Sequence, residues 1–172
     1  MTSPILTPQG VRLFTIGHSN VTSDTILTLL KSSGVQRLVD IRTKPFSRWV
    51  SQFNREPFAA FLKQHGIEYV FEGASLGGYP EDASVYPGGV ARFGEAVDYQ
   101  AVMRKEWYQR GIDRLISLAA EMPTAIMCAE EDPADCHRQM LVSQTLLERG
   151  VQVLHIRHDG SLQPAWRDES LV

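Results

Sequence analysis

Both cysteines of this chain, a histidine and an arginine are concentrated in the stretch Met127-Cys128-Ala129-Glu130-Glu131-Asp132-Pro133-Ala134-Asp135-Cys136-His137-Arg138, where a buried strand is expected to turn into a helix. A thiol set beside imidazole and guanidinium groups can act as a nucleophile, as half of a redox pair or as a metal ligand. Residues 124–128 form a short apolar run suited to an interior strand, and Pro123 breaks whatever precedes it. Asp132 then fits an N-cap, Pro133 the first helical position and Asp135 the first turn, where a carboxylate suits the positive end of the helix dipole. The helix is expected to run to about Arg149, with Gly150 as its stop.

The remaining polar candidates also fall at strand ends. Residues 11–17 read as a first strand that closes on Gly17-His18-Ser19-Asn20, a small polar turn where an imidazole can serve as acid, base or anion donor. A helix over 26–34 follows, then a second strand over 36–41 whose end, Asp40-Ile41-Arg42, enters a loop holding Lys44, Phe46, Arg48 and Trp49. Cations interleaved with aromatics can track a nucleic-acid backbone while a ring stacks on a base, and they can equally form a solvated surface loop. Residues 56–65 read as a helix stopped by Gly66, and 67–71 as a third strand leading to the Gly77-Gly78 pair. That pair marks a turn and would also admit a phosphate close to the backbone. Residues 79–97 lack periodicity and are rich in Pro, Gly and Tyr, which suggests a lid or binding loop. Residues 99–121 are expected to be helical, with Gly111 as the place for a break, and 151–156 to form a fifth strand.

Alternation of this kind predicts an α/β fold: a single-domain three-layer arrangement over residues 1–172, with a mostly parallel sheet of about five strands flanked by helices. The first ten residues and the segment 161–172 are expected to be loose or packed on the surface. In an open parallel sheet ligands bind beyond the carboxyl ends of the strands. That edge would gather His18, Ser19, Asp40, Arg42, Lys44, Arg48, Gly77, Gly78, Cys128, Glu130, Cys136, His137 and Arg138.

With 172 residues, 43% of them hydrophobic, the chain can fill one core, and a formal charge of −3 gives no bulk electrostatic reason to expect nucleic acid. No apolar stretch approaches the ~20 residues that span a bilayer, and the amino terminus lacks a basic segment followed by an apolar one, so no membrane partner and a cytoplasmic location are expected. Two cysteines are too few for a disulfide scaffold. Walker, dinucleotide-binding, lipase-elbow and metalloprotease motifs are absent from the sequence, and no cofactor follows from it.

Thr15-Ile16-Gly17-His18-Ser19, Leu38-Val39-Asp40-Ile41-Arg42 with Pro45 and Arg48, Leu76-Gly77-Gly78, and Met127-Cys128-Ala129-Glu130 with Asp132-Pro133 and Cys136-His137-Arg138 closely resemble the bacterial and archaeal family known as domain of unknown function 488, over about residues 12–160. The resemblance implies positions worth attention but no established reaction. A weaker likeness links Leu38-Val39-Asp40-Ile41-Arg42 and the strand-Cys-loop-helix at Cys128 to rhodanese-like domains. There the chain departs from the pattern, because Glu130, Glu131, Asp132 and Asp135 would repel an anionic persulfide, so the likeness concerns fold more than activity.

Each candidate also has a plain structural role available. Cys136 can be a nucleophile or a small buried residue on the face that continues through Met140, Ser143 and Leu147. Arg138 and His137 can hold an anion at a helix start, or Arg138 can bridge to Asp40. His155 reads as a satisfied core histidine. A zinc site of Cys128, Cys136, His137 and His18 uses an allowed ligand set but matches no zinc spacing signature, so no metal is assigned. The preferred expectation is a site for an anionic small molecule or nucleotide. In it Ser19, Arg42, Lys44, Arg48, Gly77, Gly78 and Arg138 bind, and His18, Asp40, Cys128, Glu130, Cys136 and His137 supply the chemistry. A nucleic-acid or nucleotide-binding module without turnover is the first alternative, and a redox or zinc site the second.

Overall fold

The computed structural model describes residues 10–171 and contains a sheet with three-layer α/β architecture. Residues 1–9, part of the amino-terminal segment expected to be loose or packed on the surface, lie outside the described residues. The strands are β1 (Arg12–Gly17), β2 (Arg37–Asp40), β3 (Glu68–Phe71), β4 (Thr124–Cys128), β5 (Gln152–Ile156) and β6 (Leu162–Pro164). They lie in the order β3-β2-β4-β1-β5-β6, and every neighbouring pair is parallel except β5 with β6. The sixth strand lies in the 161–172 segment, expected to be loose or packed on the surface, and adds an exposed edge to the sheet. Leu162–Pro164 carries no apolar alternation, and it is held by antiparallel pairing of Ile156 with Leu162 and Leu154 with Pro164.

Side chains along each strand alternate between two apolar clusters, as the pleat requires. Phe14, Ile16, Leu38, Ala125 and Met127 pack with Ile26, Leu29 and Leu30 of α1 (Ser23–Ser32) and with Phe58 and Leu62 of α2 (Arg55–Gln64). Leu13, Val39 and Ile126 pack on the opposite face with Tyr108, Ile112 and Leu115 of α5 (Glu106–Glu121) and with Leu146 of α6 (Gln144–Glu148). Two short helices, α3 (Gly73–Leu76) and α4 (Tyr99–Met103), complete the second layer.

Two helix boundaries differ from those read in the sequence. The break in the 99–121 segment falls at Arg104 and Lys105, between α4 and α5, and Gly111 lies inside α5. A Cβ on Gly111 would stand 2.6 Å from the Ser75 hydroxyl, so this glycine lets α3 pack closely on α5 and is not a hinge. After β4 the chain makes only one 3-10 turn, Pro133–Asp135, capped by the Asp132 carboxylate accepting from the Ala134 amide at 3.0 Å. Cys136 is then extended, a π-helical stretch follows over Arg138–Ser143, and α6 comes last. The wide π turn carries Arg138 and Gln139 into the interior, where both are fully buried.

Among the described residues no helix is long and apolar enough to cross a membrane.

Candidate functional site at the carboxyl edge of the sheet

The three central strands end level with one another, Gly17 opposite Cys128 and Asp40 opposite Met127. Beyond those ends the backbone stays tied. The His18 amide donates to the Cys128 carbonyl at 3.0 Å, the Ser19 amide to that of Ala129 at 2.7 Å, and the Ile41 amide to that of Met127 at 3.1 Å. The loop leaving β4 crosses directly over Gly17, where a Cβ would lie 1.6 Å from the Glu130 carbonyl oxygen. Only glycine admits that approach.

Two buried polar networks support this edge. In the first, the Arg42 guanidinium is gripped by Asp40, with Nε donating to Oδ1 at 2.9 Å and Nη2 to Oδ2 at 2.7 Å, while Nη2 also donates to the Phe53 carbonyl at 2.7 Å. The Tyr69 hydroxyl donates to the same Asp40 carboxylate at 2.5 Å, and burial together with that charge pushes the Tyr69 phenol upward. Arg42 Nη1 faces His18 Nε2 at 3.2 Å, and His18 Nδ1 faces the Ser19 carbonyl at 2.7 Å. A carbonyl only accepts, so Nδ1 carries the proton and Nε2 accepts from Arg42. Burial, with the Arg42 charge helping, pulls the His18 pKa down to about 4 and keeps this ring neutral. Its face stacks on Phe53, ring centroids 4.5 Å apart.

Arg138 organises the second network. Fully buried, it donates from Nε to the Thr15 hydroxyl at 3.0 Å, from Nη2 to the Glu131 carbonyl at 2.6 Å, and from Nη1 to both the Glu130 carbonyl and the Cys128 sulfur, the latter at 2.9 Å. Burial lowers the Arg138 pKa to about 10, still well above neutrality. Thr15 in turn meets His155 Nδ1 at 2.6 Å, and His155 Nε2 donates to Gln139 at 2.8 Å. His155 is thus a satisfied core histidine, and burial brings its pKa to about 3. On the outer side Glu131 accepts two bonds from Arg157, which drive its pKa to about 2, and His158 Nε2 donates to the Gly17 carbonyl at 2.6 Å.

Between these supports lies a cleft of about 160 Å³. It is lined by Arg42, Thr43 and Lys44 from the loop after β2, by Ala129, Glu130 and Asp135 from the loop after β4, and by the aromatic residues Tyr79, Phe93 and Tyr99. Cys128, Cys136 and His137 also line it, and the two cysteines are joined as a disulfide. His137 Nε2 donates to the Ile41 carbonyl at 3.0 Å, its Nδ1 lies 3.8 Å from the Cys136 sulfur, and burial lowers its pKa to about 4. Cys128, Cys136 and Glu130 each present a ligand atom within 4.8 Å of the other two. The Lys44 ammonium lies 5.5 Å from the Phe93 ring centre and makes no ion pair among the described residues.

Of the residues singled out in the sequence, Arg42, Lys44, Gly78, Cys128, Glu130, Cys136 and His137 line this cleft. His18, Asp40 and Arg138 stand behind it and hold its walls. Arg138 meets backbone carbonyls and a sulfur, while Asp40 is matched with Arg42, so the bridge considered between Arg138 and Asp40 does not form. Gly77 is packed against Thr43, 2.4 Å from where its Cβ would be, and Gly78 abuts the His137 ring. Arg48 does not line the cleft; it lies over the exposed Trp49 ring at 4.9 Å. Thr43, Tyr79, Phe93, Tyr99 and Asp135 are lining residues that the sequence reading did not select. The aromatic content of the 79–97 loop was their only local signal, and nothing near Tyr99 or Thr43 marks them.

A family model described as domain of unknown function DUF488 matches residues 22–145. The chain belongs to that family. The DUF488 match takes in the Arg42 loop, the Gly77-Gly78 pair and the whole Cys128–Arg138 segment, and it leaves His18 and Ser19 just ahead of its start. No curated protein and no solved structure matches the chain. The rhodanese-like resemblance finds no counterpart in these comparisons.

Proposed function

We propose that this DUF488 protein binds a small anionic molecule with an aromatic ring, of the nucleotide class, in the cleft at the carboxyl edge of its sheet. The observation that carries the reading is the state of Arg42. Of the five N–H groups on its guanidinium, Asp40 takes two, Phe53 one and His18 one, which leaves a single Nη1 donor on a side chain that lines the cleft. Held rigidly by Asp40, that donor loses little freedom on meeting a phosphate or carboxylate oxygen.

The other lining groups fit the same class of ligand. Lys44, which makes no ion pair among the described residues, adds a positive charge beside Arg42. Tyr79, Phe93 and Tyr99 offer ring faces, and Glu130 and Asp135 accept from amino groups such as those of a nucleobase. The carboxylates of the β4 loop oppose an anion less than the sequence suggests. Glu131 is matched with Arg157 and Asp132 caps its own turn, so only Glu130 and Asp135 face the cleft. We assign action on a bound ligand to His137 and, once their disulfide is reduced, to Cys128 and Cys136. His18 and Asp40 act through Arg42, and Arg138 through the loop it holds, so these three are positioning residues.

Titration with nucleoside monophosphates at low salt, with inorganic phosphate as comparison, tests the reading. We expect binding that weakens as salt rises, and that falls roughly fivefold in Lys44→Ala, the equivalent of about 1 kcal/mol for one partly exposed charge contact. Absence of binding at millimolar ligand, or affinity indifferent to both salt and Lys44, overturns it.

A further inference from the structure

We propose that Cys128, Glu130 and Cys136 form a binding site for a thiophilic divalent metal ion, zinc in the first instance, with one coordination position left open to the cleft. The two sulfurs and a Glu130 carboxylate oxygen all lie within 4.8 Å of one another. Zinc at about 2.3 Å from sulfur and about 2.1 Å from oxygen needs tetrahedral ligands roughly 3.5–3.8 Å apart, so the sulfurs must part once reduced while the carboxylate closes on them. The Cα atoms of the two cysteines are 7.4 Å apart. Disulfide-bonded pairs usually settle at about 4.4–6.8 Å, so the pair is joined here across a wider backbone separation than is usual.

The surroundings favour the thiolate form that a metal requires. A single buried residue donates to both sulfurs, Arg138 through Nη1 to Cys128 at 2.9 Å and through its backbone amide to Cys136 at 3.5 Å. Donors of this kind orient and stabilise thiolate ligands from the second layer of a metal site. Charge points the same way. Two thiolates and Glu130, with Asp135 also lining the cleft, concentrate negative charge there, and a divalent cation offsets it.

Two sulfurs and one carboxylate select zinc over magnesium or calcium, which prefer oxygen alone. Three protein ligands with a vacant fourth position is the pattern of zinc sites that bind water or a substrate atom. This set differs from the histidine-containing one considered in the sequence. His18 has one ring nitrogen on Ser19 and the other on Arg42, so it cannot serve, and His137 lies outside the group of mutually close ligand atoms. The inference rests on the cleft reading only for what occupies the open position, where an anionic ligand would meet the cation opposite Arg42 and Lys44.

Loading requires both sulfurs reduced. The joined sulfurs are first reduced by a phosphine, which gives two electrons and leaves as its oxide while water supplies the oxygen and two protons; the incoming metal then displaces both thiol protons to solvent, so uptake tightens as pH rises. The test uses the full chain, stripped of metal, kept anaerobic with a phosphine reductant and verified by thiol titration. Zn²⁺ is titrated in competition with a chromophoric chelator, and Co²⁺ serves as the optical probe. We expect one metal per chain, visible cobalt bands of a four-coordinate site and a thiolate-to-cobalt charge-transfer band in the near ultraviolet. Cys128→Ser and Cys136→Ser should each weaken or abolish that band and lower zinc affinity by about 100-fold or more. Glu130→Gln, a change at an exposed side chain that leaves folding intact, should keep the band but weaken zinc about tenfold. A fully reduced chain that takes up no metal, uptake that survives loss of either cysteine, or uptake indifferent to Glu130→Gln overturns the proposal. No nucleotide is present in this titration, and the nucleotide assay can be run with chelator, so failure of either reading leaves the other to stand or fall alone.

Discussion

Replacing Gly17 with alanine should damage both the fold and the cleft, because the β4 loop crosses this position with no room for a side chain. The added Cβ would sit 1.6 Å from the Glu130 carbonyl oxygen and 2.9 Å from Arg138 Nη1. A carbon and an oxygen approach to about 3.3 Å at closest, so the carbonyl would have to retreat by roughly 1.7 Å. That movement breaks the hydrogen bonds from Arg138 to the carbonyls of Glu130 and Glu131, and strains the one from the Ser19 amide to Ala129. Bonds to a charged donor contribute about 1.5–3 kcal/mol each and a neutral one about 1 kcal/mol, so we expect a loss of roughly 3–6 kcal/mol. Against a typical total of about 5–15 kcal/mol this removes much of the stability. At a urea slope of about 2 kcal/mol per molar, the unfolding midpoint should drop by roughly 1.5–3 M. Gly34→Ala is the control, since Gly34 has a positive φ of 71° but open space around it and should cost only about 1 kcal/mol. The same loop movement should raise the reaction rate of both cysteines with a thiol reagent under reducing conditions. A Gly17→Ala midpoint within about 0.5 M of the parent, with unchanged thiol reactivity, would refute the assignment of Gly17 as the position that lets the β4 loop close.

Arg138→Lys should lose about 3–5 kcal/mol despite keeping the charge, because one ammonium cannot reach Thr15, Glu130, Glu131 and Cys128 together; a urea midpoint close to the parent would show that the fork geometry is unimportant. Acid should weaken the fold well before its carboxylates titrate. His155 folds as a neutral ring with a pKa of about 3, whereas an unfolded histidine titrates near 6.5, so its contribution is complete above about pH 6.5 and is lost as pH falls from there toward 3. The loss amounts to about 1.4 kcal/mol per pH unit, or about 2 kcal/mol by pH 5, and His18, with a pKa of about 4, adds a similar slope. Thermal midpoints that stay flat between pH 7 and 5, or a His155 ring that titrates near 6.5 by NMR, would contradict this.

How much of this was readable in the sequence depended on whether the cause was local. Alternating apolar runs separated by glycines and caps carry the strand-helix order, since each element's period is written into consecutive residues. The clustering of Arg42, Lys44, Gly78, Cys128, Glu130, Cys136 and His137 followed from topology alone, because parallel strands deliver their carboxyl ends to one edge. β6 was not readable in this way, as its three residues are ordered by the strand they pair with and carry no pattern of their own.

Tertiary structure alone decided what each polar group does at that edge. Arg42 and Arg138 are the same residue type in the segments that follow β2 and β4. One is gripped by a neighbouring carboxylate on a side chain that lines the cleft, while the other is carried inside by a π turn and spends its donors on loop carbonyls, a hydroxyl and a sulfur. Likewise His18 and His155 differ in role from His137 only through the partners that the fold brings to their two nitrogens. A sequence specifies which donors and acceptors exist and roughly where along the chain they lie. Which of them are already satisfied is a property of distances between segments remote in sequence, and those distances exist only once the sheet has assembled.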